Sequence, residues 1–342
     1  MDAQHSGSNR PPTLQDVADR AGVSRALVSI VMRDVPGAGA QTRQRVLAVA
    51  AELGYRPDSR ARLLAGRRTR LLGVTLALHN PFHADLAESI YAAAETAGYE
   101  VVLSAITASR SPAHALDSLL SYRCEAVLLL GALVPRTTLR SVAGRLPVVV
   151  VGQPVRQPGA DPAVDVVRVA GDAGMRLAVD HLVDLGHRRI VHVDGATSPA
   201  AAERRRGYQS AMRWHRLTGA AKVVTGGDRE EDGAAAAERI VRRGLPDAVL
   251  TYNDRSAVGL LDVFARTGVS VPGDVSVVGY DDSQVARLPY LQLTTISQDV
   301  PALAGYAVQR ALDRLAGTPI PGRQLVLPPH LVVRGTTAVR TR

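Results

Sequence analysis

From Leu71 onward the sequence alternates short, wholly apolar runs with longer amphipathic ones, and this alternation leaves few folds open. Leu72–Leu78, Val101–Ile106, Ala126–Leu130 and Val148–Val151 read as buried strands, separated by predicted helices over Asp85–Ala97, Pro112–Ser121 and Thr137–Gly144. A second series follows. Helices are expected over Asp172–Leu185, Ala200–Leu217, Asp232–Arg243 and Ser256–Thr267, and strands over Ile190–Val193, Lys222–Val224, Ala248–Tyr252 and Val275–Val278. Strands that are apolar throughout are buried on both faces, which predicts an α/β fold of doubly wound parallel sheets covered by helices. Two series predict two similar lobes, with a ligand between them at the carboxyl ends of the strands. The chain is expected to cross back near Leu293–Gln298. A last helix, Val300–Leu315, and strands around Leu325 and Val332 then complete both lobes.

Ahead of this body stands a different pattern. In Thr13–Met32, TLQDVADRAGVSRALVSIVM, the residues Leu14, Val17, Ala18 and Ala21 mark one face of a helix. Thr13 with Asp16 forms the sequence of a capping box, with Asp in place of Glu, and Gly22 stops the helix through a left-handed C-cap. Ser24 can cap a second helix, whose apolar face reads as Ala26, Leu27, Ile30 and Val31. Two short helices around a glycine turn make a helix-turn-helix, whose second helix enters a DNA major groove; a helical hairpin inside a larger bundle is the other reading of this segment. After the loop Val35–Ala40, a third helix over Gln41–Leu53 presents Val46, Val49, Ala50 and Leu53 to cover the pair. Asp58–Gly66, DSRARLLAG, reads as a hinge too short to be helical without support.

Charge separates the two parts. The formal net charge is +9, and residues 1–70 hold twelve Arg against six Asp plus Glu, so +6 of it lies in the first fifth of the chain. A basic head on a near-neutral body points to a polyanion as partner of the head. Lys222 is the only lysine, and arginine forks suit phosphates and guanine edges, although base composition of the genome would give the same bias. The lone Cys124 excludes an internal disulfide and fits a reducing compartment. Residues 1–12 lack the apolar centre of a signal peptide, and no apolar run reaches the roughly 18 residues needed to cross a bilayer. The location expected is cytoplasmic and nucleoid-associated, with no membrane partner.

Head, hinge and two-lobed body together resemble the LacI/GalR family of transcriptional regulators over residues 13–337. The motifs TLQDVADRAGVS, TRQRVLAVAAELGYRP and NPFHADLAESIYAAAETAGY carry the resemblance, followed by HLVDLGHRRIVHVDG, ERRRGYQSAM, YNDRSAVGLL, VPGDVSVVGYDDS and LTTISQD in the family's order. The resemblance implies a periplasmic-binding-protein-like body and a homodimer, without a cofactor, that binds a palindromic operator in double-stranded DNA under control of a small molecule. Repression is the expected mode, with ligand-dependent activation as the alternative. Residues 1–12 are expected to be a disordered arm, 13–56 the helix-turn-helix head and 57–70 the hinge helix and linker. Residues 71–342 are the effector-binding and dimerisation domain, with lobe 1 over about 71–168 and 297–327, and lobe 2 over about 169–296 and 328–342.

The resemblance also implies site residues. Base reading falls on Arg25, Ala26 and Ile30, where isoleucine can touch a thymine methyl but not donate to guanine. Thr13, Ser24 and Ser29 suit the DNA backbone, and Leu64 stands where the family wedges a leucine into the minor groove. Asp58 departs from the family's usual asparagine and places an acid near DNA. Effector contacts fall on Phe82, His83, Arg204, Asn253, Asp281 and Gln298, donors and acceptors that suit vicinal hydroxyls. Asn253 and Asp281 also fit as turn residues capping the next helix. Arg229 and His83 occupy positions where the family has aromatics, so the effector is expected to be less sugar-like than the family's usual ligand, or to be sugar-like and carry an acidic group; a solvated loop is the other reading of Arg229.

Other chemistry finds little support. His79 and His83 have i, i+4 spacing, but Asn80-Pro81 between them argues against one helix and a metal pair. No GxGxxG follows the first strand, and P-loop and GxSxG motifs are missing, so an enzyme of doubly wound fold is a distant alternative. A free solute-binding protein would need export and no DNA-binding head.

Overall fold

The computed structural model describes residues 10, 12–32, 35–55, 68–131, 134–155 and 164–340. The chain divides into two compact units, one ending at Thr69 and one beginning at Arg70. The hinge expected over 58–66, with Asp58 and Leu64, lies outside the described residues, as does most of the expected arm.

The first unit holds α1 (Leu14–Ala21), α2 (Arg25–Met32) and α3 (Ala40–Glu52). The capping box forms as expected: Asp16 N–H donates to Thr13 Oγ1, and the Asp16 carboxylate accepts from Thr13 N–H at 2.7 Å. Gly22 ends α1 at φ +66°, a left-handed conformation in which any Cβ is strained. Ser24 Oγ accepts from Leu27 N–H at 3.2 Å and caps α2. Val17, Ala18, Ala21, Val28, Val31, Val46, Ala50 and Tyr55 form one buried cluster where the three helices meet. This corrects the expected face of α2. Val28 and Val31, three residues apart, set the helix phase; Ala26 turns outward, and Leu27 and Ile30 are only half-buried.

The second unit contains two six-stranded sheets. Lobe 1 is built from β1 (Leu71–Ala77), α4 (Pro81–Thr96), β2 (Glu100–Ile106), α5 (Pro112–Ser121), β3 (Ala126–Leu130), α6 (Arg136–Ala143), β4 (Val148–Val151) and β5 (Val164–Val169). Lobe 2 follows with α7 (Gly171–Asp184), β6 (Ile190–Asp194), α8 (Ala201–Trp214), β7 (Lys222–Thr225), α9 (Glu230–Arg243), β8 (Ala248–Leu250), α10 (Asp254–Arg266), β9 (Ser276–Asp281) and β10 (Thr294–Ser297). The chain then returns to lobe 1 for α11 (Val300–Ala316) and β11 (Gln324–Leu327), and ends on lobe 2 with β12 (His330–Val332).

The strand orders are β2-β1-β3-β4-β5-β11 and β7-β6-β8-β9-β10-β12, and every pairing is parallel except β10 with β12. Apolar clusters cover both faces of each sheet, as the unbroken apolar strands require. The order reverses at β1 and at β6, and a crevice opens beyond the carboxyl ends of the strands at such a point.

Two expectations fail here. Strand β5, VDVVRV, was not foreseen, because Asp165 and Arg168 interrupt its apolar run; Asp165 is nonetheless buried, held by Arg314 at 2.7 and 2.9 Å. Helix α4 begins at Pro81 rather than Asp85. A proline at the first helical position has no N–H to satisfy, and Asn80 caps the turn by accepting from Phe82 N–H at 3.1 Å. His83 is therefore helical while His79 precedes the cap. No helix among the described residues is long and apolar enough to cross a membrane.

Candidate functional site

In the first unit, the N-terminal end of α2 is exposed. Ser24, Arg25 and Ala26 are exposed, while Ser29 and Ile30 are half-buried, Ile30 lying against the Gly37 turn. Arg25 enters no hydrogen bond or ion pair with the other described residues, so its fork stands in solvent at the start of the helix. Thr13 is exposed, but its hydroxyl is already engaged with the Asp16 carboxylate at 2.7 Å.

In the second unit, a cleft opens at the carboxyl ends of both sheets and encloses about 640 Å³ of unfilled space, its open mouth included. Lobe 1 lines it with Ala77 from the end of β1, Phe82 and His83 from α4, Gly131 after β3, Val151 at the end of β4 and Gly152 after it. Lobe 2 contributes Arg204, Asp228, Tyr252, Asn253 and Asp281, and Gln298 lines it from the crossing between the lobes. Six of the seven expected effector residues thus meet in one place. Arg229 does not line the cleft; it is exposed at the start of α9, its guanidinium 3.4 Å from Glu231.

Arg204 is the centre of the polar wall. It is buried, with its guanidinium 3.6 Å from the Tyr280 ring centroid and 4.6 Å from that of Tyr252. It donates to the Tyr252 carbonyl and to Asp281 Oδ1 at 3.3 Å. Burial works against its charge, but Asp281 and the two tyrosines outweigh burial and raise its pKa further. Gln298 Nε2 donates to the same Asp281 oxygen at 2.7 Å, so a residue of the crossing segment is tied to the wall of lobe 2.

Asn253 has a double role. Its Oδ1 caps α10 by accepting from Ser256 N–H at 2.9 Å, and its Nδ2 donates to the Asp228 carbonyl at 3.0 Å. The helix-capping reading of Asn253 is therefore realised, in a residue that also lines the cleft.

His83 is 6% exposed, and its Nδ1 accepts from Ala77 N–H at 3.1 Å, which leaves the ring proton on Nε2. Burial, with His79 nearby, pushes its pKa down to about 4, so the imidazole is neutral at pH 7. Gly131 stands at φ +59°, and a Cβ there would come within 2.1 Å of the His83 ring; glycine lets the imidazole lie over the end of β3.

Behind the cleft lies a residue the sequence reading passed over. Asp254 is buried and accepts from Thr295 Oγ1 at 2.6 Å, Ser283 N–H at 2.8 Å and Ser283 Oγ at 3.0 Å. It ties the start of α10 to β10 and to the turn after Asp281. Burial raises its pKa, and the neighbouring Asp281 charge raises it further. Burial also raises that of Asp281, against the pull of Arg204. The signal was present: an acid next to Asn253, at the head of an otherwise apolar helix face. Tyr252 was likewise legible only as a strand residue, and Tyr280 lay beyond the strand expected to end at Val278; the structure brings both rings against Arg204.

Comparison with known proteins places this geometry among relatives. Residues 13–58 match the model for bacterial regulatory proteins of the lacI family, and residues 179–337 match a periplasmic binding protein-like domain. The lactose operon repressor of Escherichia coli (strain K12) is 33% identical over 341 residues, covering 96% of this chain and 91% of that protein. A crystal structure of a LacI transcriptional regulator from a Rhodococcus species is 47% identical, with a TM-score of 0.75 over 79% of this chain and 98% of that one. The lac repressor dimer bound to operator and the anti-inducer ONPF is 30% identical, with a TM-score of 0.81 over 96% of this chain and 100% of that one.

Proposed function

The chain belongs to the LacI family of bacterial regulatory proteins and is a DNA-binding transcriptional regulator, and we propose that it represses transcription as a homodimer on a palindromic operator. A small polyhydroxylated molecule, bound in the cleft between the lobes, controls its affinity for DNA. The division of labour is 13–56 for the head, 57–70 for the hinge with Leu64 as minor-groove wedge, and 71–342 for effector binding and dimerisation, with 1–12 as an arm. A protein whose partner is chromosomal DNA works on the nucleoid in the cytoplasm, and it needs no catalytic group. One molecule reads one half-site, so two-fold symmetry calls for an inverted repeat.

The observation that carries this reading is the three-helix head with Arg25 and Ala26 turned outward at the start of α2, where a recognition helix meets base edges. Ile30, half-buried, offers only an apolar contact, and Ser24, Ser29 and Thr13 suit phosphates. In the body, Phe82, His83, Arg204, Asn253, Asp281 and Gln298 supply the effector contacts. An effector changes operator affinity only by binding the two lobe arrangements unequally, a coupling of about 1–3 kcal/mol.

The test is operator binding by fluorescence anisotropy at one salt concentration, because phosphate contacts make affinity salt-dependent. Arg25→Ala is expected to cost about 1–3 kcal/mol per half-site and to relax preference at one base pair, with little change in non-specific binding. Equal losses on operator and on unrelated DNA would reassign Arg25 to the backbone.

A further inference from the structure

We propose that the effector carries a protonated amine beside its hydroxyls, and that Asp228 receives the ammonium group. This rests on the regulator reading above and names the ligand class for the same cleft.

The charges around the cleft are unevenly committed. Arg204 is the only Arg or Lys among the lining residues, and its charge is already matched by Asp281 at 3.3 Å and lies against the rings of Tyr252 and Tyr280. Asp281 Oδ1 is shared between Arg204 and Gln298. Asp228 differs. Its backbone carbonyl accepts from Asn253, but its half-buried carboxylate enters no hydrogen bond or ion pair with the other described residues. The lining therefore offers two carboxylates against one guanidinium, and the uncommitted charge is negative.

Neither basic group that suggested an acidic effector is available to one. Arg229 is outside the lining and paired with Glu231, and Arg255 on α10 is held by both oxygens of Glu230. His83 presents a neutral Nε2–H, which suits a hydroxyl oxygen better than it offsets a carboxylate. A sugar acid or sugar phosphate would bring an anion beside Asp228 with no uncommitted Arg or Lys in the lining to meet it. An amine there makes a charge-assisted hydrogen bond, about twice as strong as a neutral one. Asn253, Gln298 and His83 remain for the hydroxyls, and Phe82 offers an apolar surface to the ring.

The experiment is calorimetric titration of the full chain at pH 7 with matched trios: glucosamine, glucose and glucuronate; galactosamine, galactose and galacturonate; mannosamine, mannose and mannuronate. In the trio that fits, the amine is expected to bind about tenfold more tightly than the neutral sugar, and the acid more weakly than either. Asp228→Asn, which keeps the shape of the side chain, is expected to erase the gap between amine and neutral sugar; Asp228→Ser repeats the test with a smaller group. An acid that matches or exceeds its neutral counterpart overturns the proposal. So does an amine that shows no advantage in any trio, or a gap that survives both substitutions. Operator binding of the unmodified chain, measured in parallel, tests the regulator reading by itself: its loss with the amine preference intact would sink that reading alone.

Discussion

Lobe 1 and lobe 2 carry six-stranded sheets of the same winding, β2-β1-β3-β4-β5-β11 and β7-β6-β8-β9-β10-β12, yet they line the cleft with different chemistry. Lobe 1 brings Ala77, Phe82, Val151 and Gly152 together with Asn80, Gln153, His79 and a neutral His83, and no Asp, Glu, Arg or Lys. Lobe 2 brings a stacked guanidinium, two carboxylates and a carboxamide, backed by the buried Asp254. The winding is the same because the apolar cores lie between sheet and helices, and the cleft residues sit beyond the strand ends, outside those cores. Lobe 1 supplies apolar and neutral polar groups, and lobe 2 supplies the carboxylates and the guanidinium. A buried polar wall must be satisfied within itself before a ligand arrives, which explains why Arg204, Asp281 and Gln298 already bind one another.

The largest effect is expected where that wall is broken. Arg204→Ala leaves Asp281 buried without its counter-charge, and removing one partner of a buried pair costs about 3–5 kcal/mol, to be read by urea unfolding. A cost below about 1 kcal/mol would mean that water, not protein, solvates Asp281, and that the wall is no different from a surface.

Leu116→Ala, in the apolar cluster of lobe 1 away from the cleft, is expected to cost about 3 kcal/mol through loss of packing and the cavity left behind. Effector affinity by calorimetry should stay unchanged. An equal loss of affinity would show that the cores and the cleft are not separable in this lobe.

His83 gives lobe 1 a pH dependence. Its pKa falls from the ordinary 6.5 to about 4 on folding, so the unfolded chain takes up the proton first. The stability from keeping this ring neutral is full above pH 6.5 and is lost as pH falls toward 4, a change of about 3 kcal/mol over the interval. Compared with His83→Gln, the unmodified protein should therefore lose its relative advantage by about that amount between pH 7 and pH 4. A constant difference across this range would mean that the imidazole is hydrated in the folded protein.

The smallest effect concerns sensing. Asp281→Asn keeps an acceptor for Gln298 but removes the charge facing the cleft. Operator affinity without effector is expected to stay near that of the unmodified protein, while the response to effector, about 1–3 kcal/mol of coupling, is largely lost. A full response at the unmodified protein's effector concentration would take Asp281 out of the site and shift the polar role to Asn253 and Asp228.

Much of this protein follows from local pattern. The capping box at Thr13, the stop at Gly22 and the unbroken apolar strands are decided within a few residues, so they were legible without coordinates. Residues following apolar strands, such as Asn253 and Asp281, were legible as cleft residues for the same reason. The failures are of another kind. The phase of α2, turned outward at Ala26, depended on which of several apolar residues met α1 and α3. Strand β5 was concealed by Asp165, an acid made tolerable by Arg314, 149 residues away along the chain. The turning of Arg229 away from the cleft, its pairing with Glu231, the contact of Arg204 with the rings of Tyr252 and Tyr280, and the place of Asp228 in the lining were settled only by the tertiary structure. Periodicity, caps and turns depend on the backbone near each residue, and the sequence carries them. Charge pairing and side-chain burial depend on partners that are distant in sequence, and only folding brings those together.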